Sequence, residues 1–572
     1  MQALKTKKQV FQSGCRKPYA ERPVINGESA MTHIEEIRKE MKNRGIDLWV
    51  ARSTDVHGSE YICEHDNVLG WASGFTGDSA VLTVTADEAA LWVDGRYFIQ
   101  ADLEMAGTKI RVMKLGEPGV PKPAEWIEGV KASGKAFSDD PELAGTLWKD
   151  RPARPKRPIW CHGAEYEDVT AAEKLEKVRS RMKETGSRAV VLKKLDNISW
   201  LTNLRGSDIP YNPIFFAFMY ISHINAVIFT QKGALTAEAK EQLKAASISV
   251  SDYGLFDEFL KDAGKEGLMD EAEVTLLKAI KSDAAISHMK ASHVRDGVYV
   301  TRFIYRIKQR MASDIPTDEI DAAEMIDSLR AGDERYVSLS FPTIAAYGPN
   351  AAMCHYAPRK DNKAVIGKRG FLLVDSGAQY MDGTTDITRT ISVGPLSADE
   401  RKHYTLVMCA MLRLLHARFP DKACGANLDG IARELLWKHD VDFNHGTGHG
   451  VAYLGCVHDE PVRISYAAFG KLLPGMVTSD EPGIYIEGKY GIRVENVLAV
   501  RRAEDGWLEF ENLTWAPLDQ AAVNTDYMTD EDISNYNDYQ SRVRSMISPD
   551  LNEEERNWLE RETQIIRRGT ER

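Results

Sequence analysis

The stretch LLVDSGAQYMDGTTDITRT, residues 372–390, decides the fold because it predicts two strands that each deliver an aspartate. The apolar run before Asp375 is typical of a strand that ends in a carboxylate, and Asp386 begins the alternating stretch DITRTI eleven residues later. The Asp382–Gly383 pair between them is a turn signal, so we predict a hairpin. Both aspartates can then face one cavity, although the register stays open. Taken singly, either aspartate is better explained as a turn cap.

Two glutamates further along the chain are related by simple arithmetic. Glu481 in TSDEPGIY and Glu495 in GIRVENVLAV lie fourteen residues apart and are equidistant from Gly488. In a hairpin centred on Gly488 they would face each other, with roughly 5 Å between their Cβ atoms. Two like charges this close repel, so a positive charge must lie between them. A divalent metal is the economical answer, and a salt bridge to Arg493 is the alternative.

A histidine in HGTGHGVA completes a set of five polar residues. His449 stands among three glycines within five residues, which allow close approach of the backbone. Four carboxylates and one imidazole are hard to explain by packing, because ionised side chains are rarely buried without partners. Four negative charges would balance two divalent cations, so the set predicts a two-metal hydrolytic centre. Its members are Asp375, Asp386, His449, Glu481 and Glu495.

Length and composition exclude several classes of protein. At 572 residues the chain is too long for one hydrophobic core, and we expect three or four domains. A net charge of −12 argues against general nucleic-acid binding. The nearest approach to a membrane span, residues 214–229, is interrupted by polar residues and predicts two buried strands, so we expect no membrane partner. The seven cysteines include no CxxC pair, which favours reduced thiols and a cytoplasmic location.

Composition also divides the chain into four segments. Residues 1–30 carry a basic leader without an apolar stretch, and we predict a disordered extension; a transit peptide or a start at Met31 are the alternatives. Residues 31–160 and 161–284 each run from a helix through a β-branched strand to a glycine turn, which predicts two related α/β domains. The proline-rich RPARPKRP between them predicts a stiff linker. Residues 285–572 open with long helices and contain all five polar residues.

Local signals place two further helices in the last segment. The run SADE that begins at Ser397 is a capping box and predicts a helix start. Residues 552–568 predict a terminal helix that is anchored by Trp558, Ile565 and Ile566.

The five-residue set resembles the ligands of the M24 metallopeptidases, which have the pita-bread fold. In that family two metals are held by Asp, Asp, His, Glu and Glu in this order, and SDEPG and RVEN resemble its glutamate motifs. Segments outside the metal motifs are similar to the long, three-domain aminopeptidase P enzymes. DVHGSEYI, GWASGFTG and ALWVDGRYF resemble their first domain, ISWLTNLRGSDIPYNP the second, and SLSFPTIAAYGPNAAMCHYAP the entry to the third.

This resemblance implies an α/β (α+β) fold, with two creatinase-like α/β N-terminal domains before a pita-bread catalytic domain. It also implies roles for the ligands. Asp375 and Glu481 would bind one metal each. Asp386 would chelate one metal, His449 would bind the other, and Glu495 would bridge them. The expected cofactors are two divalent metal ions, for which carboxylate-rich ligation suits Mn²⁺ and leaves Co²⁺ and Zn²⁺ open.

The reaction implied is hydrolysis of the bond between an N-terminal residue and a penultimate proline by a metal-bridged hydroxide. Peptides with proline in the second position would be the substrates, and the enzyme would be a homodimer. Glu481 would act as general base, and His458 would hydrogen-bond the developing oxyanion. His355 would lie beside the substrate with His458. His445 would line the pocket for the proline ring, and Arg493 would hold the peptide after the proline.

Two departures from the family pattern and two other functions remain open. The chain reads VHDEP where members commonly read VHEGP, so Glu460 replaces a flexible glycine, and Ile484 stands where an aromatic residue is usual. We expect both changes to alter the rim of the pocket. The first alternative function is a prolidase that prefers Xaa-Pro dipeptides. The second is a binding module that keeps the fold without catalysis, although a pure scaffold has no need of the complete ligand set.

Overall fold

The computed structural model describes residues 27–569 of the chain. Residues 1–26 of the predicted extension, with the alternatives given for them, lie outside this range. Residues 27–30 were predicted to be disordered and instead belong to the first helix, Gly27–Arg44. Across the described part, no helix combines the length and the apolar character that crossing a membrane requires.

A five-stranded mixed sheet forms the core of the first unit. Its helices and strands are α1 (Gly27–Arg44), β1 (Leu48–Arg52), α2 (Val68–Ser73), β2 (Ala80–Thr85), β3 (Ala89–Val93), α3 (Phe98–Glu104), β4 (Ile110–Lys114), α4 (Pro123–Ala132), β5 (Phe137–Ser138) and α5 (Glu142–Gly145). Strands β2 and β3 form a hairpin, and their antiparallel register runs from Ala80↔Val93 to Val84↔Ala89. Ile34 of α1 packs with Trp49 of β1 in the core.

A second unit repeats this arrangement. Its elements are β6 (Trp160–Cys161), α6 (Ala171–Glu184), β7 (Ala189–Leu192), α7 (Leu195–Thr202), β8 (Leu204–Arg205), β9 (Ala217–Ser222), β10 (Ala226–Thr230), α8 (Ala237–Ala245), β11 (Ser249–Asp252), α9 (Phe256–Ala263), β12 (Leu268–Met269) and α10 (Ala272–Ala279). The apolar run at residues 214–229 contributes to β9 and β10, which pair as an antiparallel hairpin. The prediction of two buried strands there is confirmed.

The two sheets have the same topology. The strand order is β4-β3-β2-β1-β5 in the first and β11-β10-β9-β7-β12 in the second. In each, three antiparallel strands occupy the centre and a parallel strand occupies each edge. This equivalence confirms two related α/β units. The segment between them, residues 151–158, has no regular structure, and Arg154 ties it to Asp66. The exact domain boundaries stay predictions.

The third unit is the largest and contains the predicted metal ligands. Its helices are α11 (Asp283–Ala312), α12 (Glu319–Ala331), α13 (Ala398–Leu415), α14 (Gly425–Trp437), α15 (Asp530–Ile547) and α16 (Glu553–Glu562). Its strands are β13 (Tyr336–Leu339), β14 (Ile344–Tyr347), β15 (Phe371–Ser376), β16 (Ala378–Tyr380), β17 (Gly383–Thr384), β18 (Ile387–Ser392), β19 (Arg418–Phe419), β20 (Gly448–Gly450), β21 (Asp459–Ile464), β22 (Val477–Asp480), β23 (Gly483–Ile486), β24 (Tyr490–Arg493), β25 (Asn496–Arg502) and β26 (Leu508–Asn512).

The core of this unit forms where its helices cover its sheets. A three-stranded sheet, β14-β15-β18, and a six-stranded sheet, β19-β26-β25-β22-β20-β21, carry the strands of the predicted site. Helix α13 is buried along most of its length and packs into the main hydrophobic cluster. Its start is as predicted, because Ser397 caps the backbone N–H of Glu400 and Glu400 caps that of Ser397.

The predicted terminal helix is shorter than expected. Helix α16 ends at Glu562, and the backbone beyond it carries no regular structure. Trp558 and Ile566 are buried as predicted, but Ile565 is 66% exposed, so its predicted anchoring role is wrong. Without the helix, these two consecutive side chains point in different directions and only one of them reaches the core.

A buried ion pair joins the long helices to the strand that carries Asp375. Arg330 of α12 makes two hydrogen bonds to Asp296 of α11, at 2.7 and 2.8 Å, and neither side chain is exposed. Tyr380 donates to Asp296 at 2.6 Å, and Arg330 also donates to the carbonyl oxygen of Ser376 at 3.1 Å. The end of β15 is therefore fixed from behind by a fully enclosed charge pair.

We expect Asp296→Ala to destabilise the protein strongly, because it leaves the Arg330 guanidinium buried without its counter-charge. The expected cost is about 3–5 kcal/mol, seen as a melting temperature lower by roughly 3–4 °C in differential scanning fluorimetry. Asp538→Ala is the matched control, because Asp538 pairs with Arg542 on the exposed surface of α15 and should cost less than about 0.5 kcal/mol. Equal losses for the two variants would contradict this account.

Candidate metal centre

A hairpin brings the two aspartates to one face, as the sequence predicts. Strands β15 and β18 pair antiparallel, with Asp375 opposite Thr388. Continuing this register places Asp386 opposite Gly377, two positions from Asp375, so both aspartates lie on the same face of the ladder. Gly377 is required at this crossing, because a Cβ there would lie 2.0 Å from the carbonyl oxygen of Thr385.

The two glutamates face each other across a second hairpin. Asp480 pairs with Asn496 on one side of them, and Gly483 pairs with Arg493 on the other. The same register places Glu481 opposite Glu495. The turn lies at Gly488, which adopts a left-handed φ of 71°. The predicted hairpin and its centre are confirmed.

His449 is held between two strands with its Nε2 atom directed at the carboxylates. Its backbone N–H donates to Ser479 Oγ at 2.9 Å, and its Nδ1 bonds the carbonyl oxygen of Gly450 at 3.0 Å. Nε2 then lies 3.2 Å from Glu481 Oε1 and 3.5 Å from Asp386 Oδ2. Only glycine fits beside His449 at position 450, because a Cβ there would lie 2.0 Å from a carbonyl oxygen of β21.

The donor set has the form of a cation site. Asp386, His449 and Glu495 each offer a ligand atom within 4.8 Å of the others. Glu495 Oε2 accepts from the Thr388 hydroxyl at 2.6 Å, whereas its Oε1 is buried and has no partner among the described residues. Asp375 Oδ1 is buried and unpartnered in the same way, while its Oδ2 is anchored. Asp375 and Glu495 thus each have one oxygen fixed and one left available, which fits divalent metals.

Electrostatics point to the same conclusion. Burial, together with the charges of Asp375 and Glu481, raises the pKa of Asp386 far above its ordinary value. Burial and the charge of Asp386 do the same for Glu495. Burial raises the pKa of Glu481 to about 7, against the lowering effect of Arg493. Without cations, these carboxyl groups retain protons near neutral pH.

Arg493 lies at this centre, but it does not lie between the two glutamates as the salt-bridge alternative requires. Its guanidinium donates to Asp375 Oδ2 at 2.6 Å and to the hydroxyl of Tyr485 at 2.6 Å. Among the described residues it forms an ion pair with Asp375 and with neither glutamate. A salt bridge therefore does not explain the facing glutamates. Its expected contact with the peptide stays a prediction.

The three further histidines line the same cavity, which has a volume of about 900 Å³. His458 and His449 lie with ring centroids 4.2 Å apart, and His355 and His458 with centroids 6.5 Å apart. His445 Nε2 is 2.8 Å from the Tyr485 hydroxyl, so it is linked to Asp375 through Tyr485 and Arg493. The structure thus brings together all nine residues singled out from the sequence.

Residues of the first unit that were not singled out from the sequence also reach this cavity. Glu60 Oε2 lies 2.5 Å from His458 Nδ1, and Arg96 lies 3.6 Å from Glu60. Burial acts to lower the pKa of His458, but the charge of Glu60 outweighs it and the pKa is raised. Tyr97 donates to Asp78 at 3.0 Å, and its oxygen is 2.8 Å from His355 Nδ1. The available signal was the polar residues within HGSEYI and DGRYF.

The two departures from the family pattern have different consequences. Asp459 is fully buried and pairs with Lys278 and Lys281. Glu460 lines the cavity, where it pairs with Lys194 of the second unit, as expected for a rim residue. Ile484 is 1% exposed and packs in the main hydrophobic cluster, so the expectation that it alters the rim is wrong. As part of β23 it points away from the cavity.

Family models match almost the entire described chain. Residues 287–502 match metallopeptidase family M24, and residues 506–566 match the C-terminal region of peptidase M24. Residues 33–136 and 150–301 match two models of the creatinase/prolidase N-terminal domain.

Individual relatives agree with these matches. A probable Xaa-Pro aminopeptidase P of Ajellomyces dermatitidis is 35% identical over 93% of this chain and 98% of its own length. The corresponding protein of Aspergillus flavus is 33% identical over 95% of this chain and 93% of its own. The crystal structure of X-prolyl aminopeptidase from Caenorhabditis elegans, described as a cytosolic enzyme with a di-nuclear active site, superimposes with a TM-score of 0.90. It is 30% identical and covers 94% of this chain and 100% of its own.

We expect protein stripped of divalent cations to lose stability as the pH rises through the pKa values of the carboxyl groups in the cluster. The pKa of Glu481 is about 7 in the folded state against an ordinary value of 4.5, so between these values the folded state binds more protons than the unfolded state. Its stabilising contribution is complete below pH 4.5 and is lost by pH 7. Added Mn²⁺ should therefore raise the melting temperature more at pH 8 than at pH 6.

Scanning calorimetry with and without Mn²⁺ measures this difference. The Glu481→Gln variant is the control, because it removes one of the titrating groups and should reduce the dependence on pH. Equal Mn²⁺-induced increases at pH 6 and pH 8 in the wild-type protein would contradict the account.

Proposed function

The chain belongs to metallopeptidase family M24, together with the Xaa-Pro aminopeptidase P enzymes, and we propose that it removes the N-terminal residue from peptides with proline in second position. The observation that carries the proposal is the buried cluster of Asp375, Asp386, His449, Glu481 and Glu495, with free oxygens directed inward. A scaffold without catalysis would gain nothing from four mutually repelling carboxylates, whereas a two-metal hydrolase requires them.

Two divalent ions are the cofactors of this proposal. Asp375 and Glu481 would hold one ion each, Asp386 would chelate one, His449 would bind the other, and Glu495 would contact both. When bound, the ions supply Lewis-acid activation of water and of the scissile carbonyl. Mn²⁺ is the preferred ion because hard carboxylate oxygens dominate the donor set. The excess of acidic groups supports this assignment, since ten carboxylates and five lysine or arginine side chains line the cavity.

The protein's own residues position the substrate and move its protons. Glu481 is the general base, which moves the proton toward the leaving proline nitrogen. His458, kept protonated by Glu60, donates a hydrogen bond to the oxygen that becomes negative in the transition state. His355 lies beside the substrate, and its contact with the Tyr97 hydroxyl fixes the orientation of its ring.

The remaining residues of the site select the substrate. His445 lines the space for the proline ring, and Arg493 holds the peptide that follows. The first unit contributes to exopeptidase selectivity, because Glu60, Arg96 and Tyr97 line the cavity beside the metal ligands and limit the chain length on that side.

The location and assembly of the protein are part of the same proposal. We propose a cytoplasmic enzyme, which is supported by the scattered cysteines and by the cytosolic relative from Caenorhabditis elegans. We also propose a homodimer. Analytical ultracentrifugation at micromolar concentration tests this point directly, and a monomer of 64.0 kDa would refute it.

We expect the purified protein with Mn²⁺ to release arginine from Arg-Pro-Pro and not from the matched peptide Arg-Ala-Pro. Amino-acid analysis of the products over time measures the release. A prolidase would instead cleave the dipeptide Arg-Pro with the higher kcat/KM. A binding module would retain two metal ions, measured by mass spectrometry, and release no arginine from either peptide.

We expect Glu481→Gln to lower kcat by about 10²–10⁴-fold, because it removes the proposed base. Metal content is measured on the same preparation, since the side chain is also a proposed ligand. Glu487→Gln is the matched control, because Glu487 is exposed in the turn of the same hairpin. Activity within twofold of wild type for Glu481→Gln would show that another residue acts as the base.

A further inference from the structure

One cationic side chain in the cavity has no partner among the residues that the structure describes. Arg96 pairs with Asp94, Lys194 with Glu460, and Arg493 with Asp375. Arg359 likewise pairs with Asp361 and with Glu104. Arg463 is the fifth lysine or arginine of the lining, and within residues 27–569 it makes no side-chain hydrogen bond or ion pair. Its guanidinium is thus available for an anion that enters the cavity.

The strand register directs Arg463 toward the metal centre. It lies in β21 directly opposite His449 in β20, and residues opposite each other in an antiparallel pair share a face. Its neighbours Val462 and Ile464 are buried, at 4% and 0% exposure, so they occupy the other face. Arg463 itself is exposed and lines the cavity beside the proposed metal ligand.

The position of Arg463 along the strand indicates which part of a peptide it meets. Strand β21 runs from Asp459, beside His458, toward the segment that contains His445. At its far end, a Cβ on Gly446 would lie 3.4 Å from the carbonyl oxygen of Ile464. Arg463 therefore lies on the side of His445, where the proposed function places the proline ring and the peptide that leaves with it.

We propose that Arg463 binds a carboxylate on the residue that follows the penultimate proline. This carboxylate is either the free C-terminus of a tripeptide or an acidic side chain. A guanidinium matches a carboxylate with two parallel hydrogen bonds, and Arg463 is the lining cation that needs no protein group to be displaced. The inference rests on the proposed function and adds a substrate preference to it. The preferred peptides would either end at the residue after proline or have an acidic residue at that position.

The test compares three peptides that differ only after the proline: Arg-Pro-Ala, Arg-Pro-Ala-amide and Arg-Pro-Asp-amide. With the Mn²⁺-loaded enzyme, Arg463→Gln should lower kcat/KM for Arg-Pro-Ala about tenfold, mainly through KM, and leave Arg-Pro-Ala-amide within twofold. A loss for Arg-Pro-Asp-amide as well would show that an acidic side chain is recognised. An unchanged kcat/KM for Arg-Pro-Asp-amide would restrict recognition to the free C-terminus.

Two further variants control for charge and for the substitution itself. Arg463→Lys keeps the positive charge but not the two-pronged geometry, so it should lose less than Arg463→Gln. Arg542→Gln changes an exposed arginine of α15 outside the cavity and should behave as wild type. Equal losses for the acid and amide peptides, or no loss for either, would overturn the proposal.

Binding of a product-type dipeptide separates this inference from the proposed function. Isothermal titration calorimetry of Pro-Ala and Pro-Ala-amide requires no turnover. Wild-type protein should bind Pro-Ala about tenfold more tightly than its amide, and Arg463→Gln should bind the two equally. If no Xaa-Pro peptide is cleaved but this difference is observed, the carboxylate site stands and the proposed activity falls. If cleavage occurs without the difference, the carboxylate site falls alone.

Discussion

Repulsion among four buried carboxylates is the constraint on which the rest of the third unit depends. The centre stays intact because separate elements hold three of these groups from outside. Thr388 anchors Glu495, Arg493 anchors Asp375, and Ser479 donates to Glu481 at 3.1 Å. Behind them, Arg389 donates to the backbone carbonyl of Glu495 at 2.6 Å and ties β18 to β25. Such anchoring fixes ligand geometry before any cation arrives, as is typical of the outer contacts of metal sites.

The catalytic unit does not complete its own site. Glu60, which lies 398 residues before His458 in the chain, keeps that histidine protonated. The Tyr97 hydroxyl contacts the ring of His355 and fixes its orientation. The second unit contributes Lys194 at the rim. The positions of Glu60 and Lys194 are equivalent, because the loop after β1 and the loop after β7 both reach the cavity and β1 and β7 occupy the same place in matching sheets. The first and second units, which share one fold, thus each supply one side of the cavity.

Sequence patterns predicted the features that depend on neighbouring residues and missed those that depend on distant ones. The glutamate hairpin was predictable because both strands share one turn at Gly488, so symmetry fixes the register. The aspartate hairpin was predictable without its register, because the short β16–β17 hairpin lies inside its loop. The failure at Ile565 follows from a helix that ends early. The polar run HGSEYI could have singled out Glu60, but no local pattern reports its contact with His458 in another unit.

The first and second units each contact the catalytic unit through a partly exposed ion pair. The side chains of Glu60 and His458 are 28% and 24% exposed, and those of Glu460 and Lys194 are 48% and 34% exposed. Dissolved salt weakens such partly exposed pairs, whereas enclosed groups such as Asp386 are screened far less. Ionic strength therefore acts on the contacts of the first two units with the catalytic unit more than on the metal ligands. Because Glu60 also holds the proton of His458, salt reaches the oxyanion donor as well as the rim of the cavity.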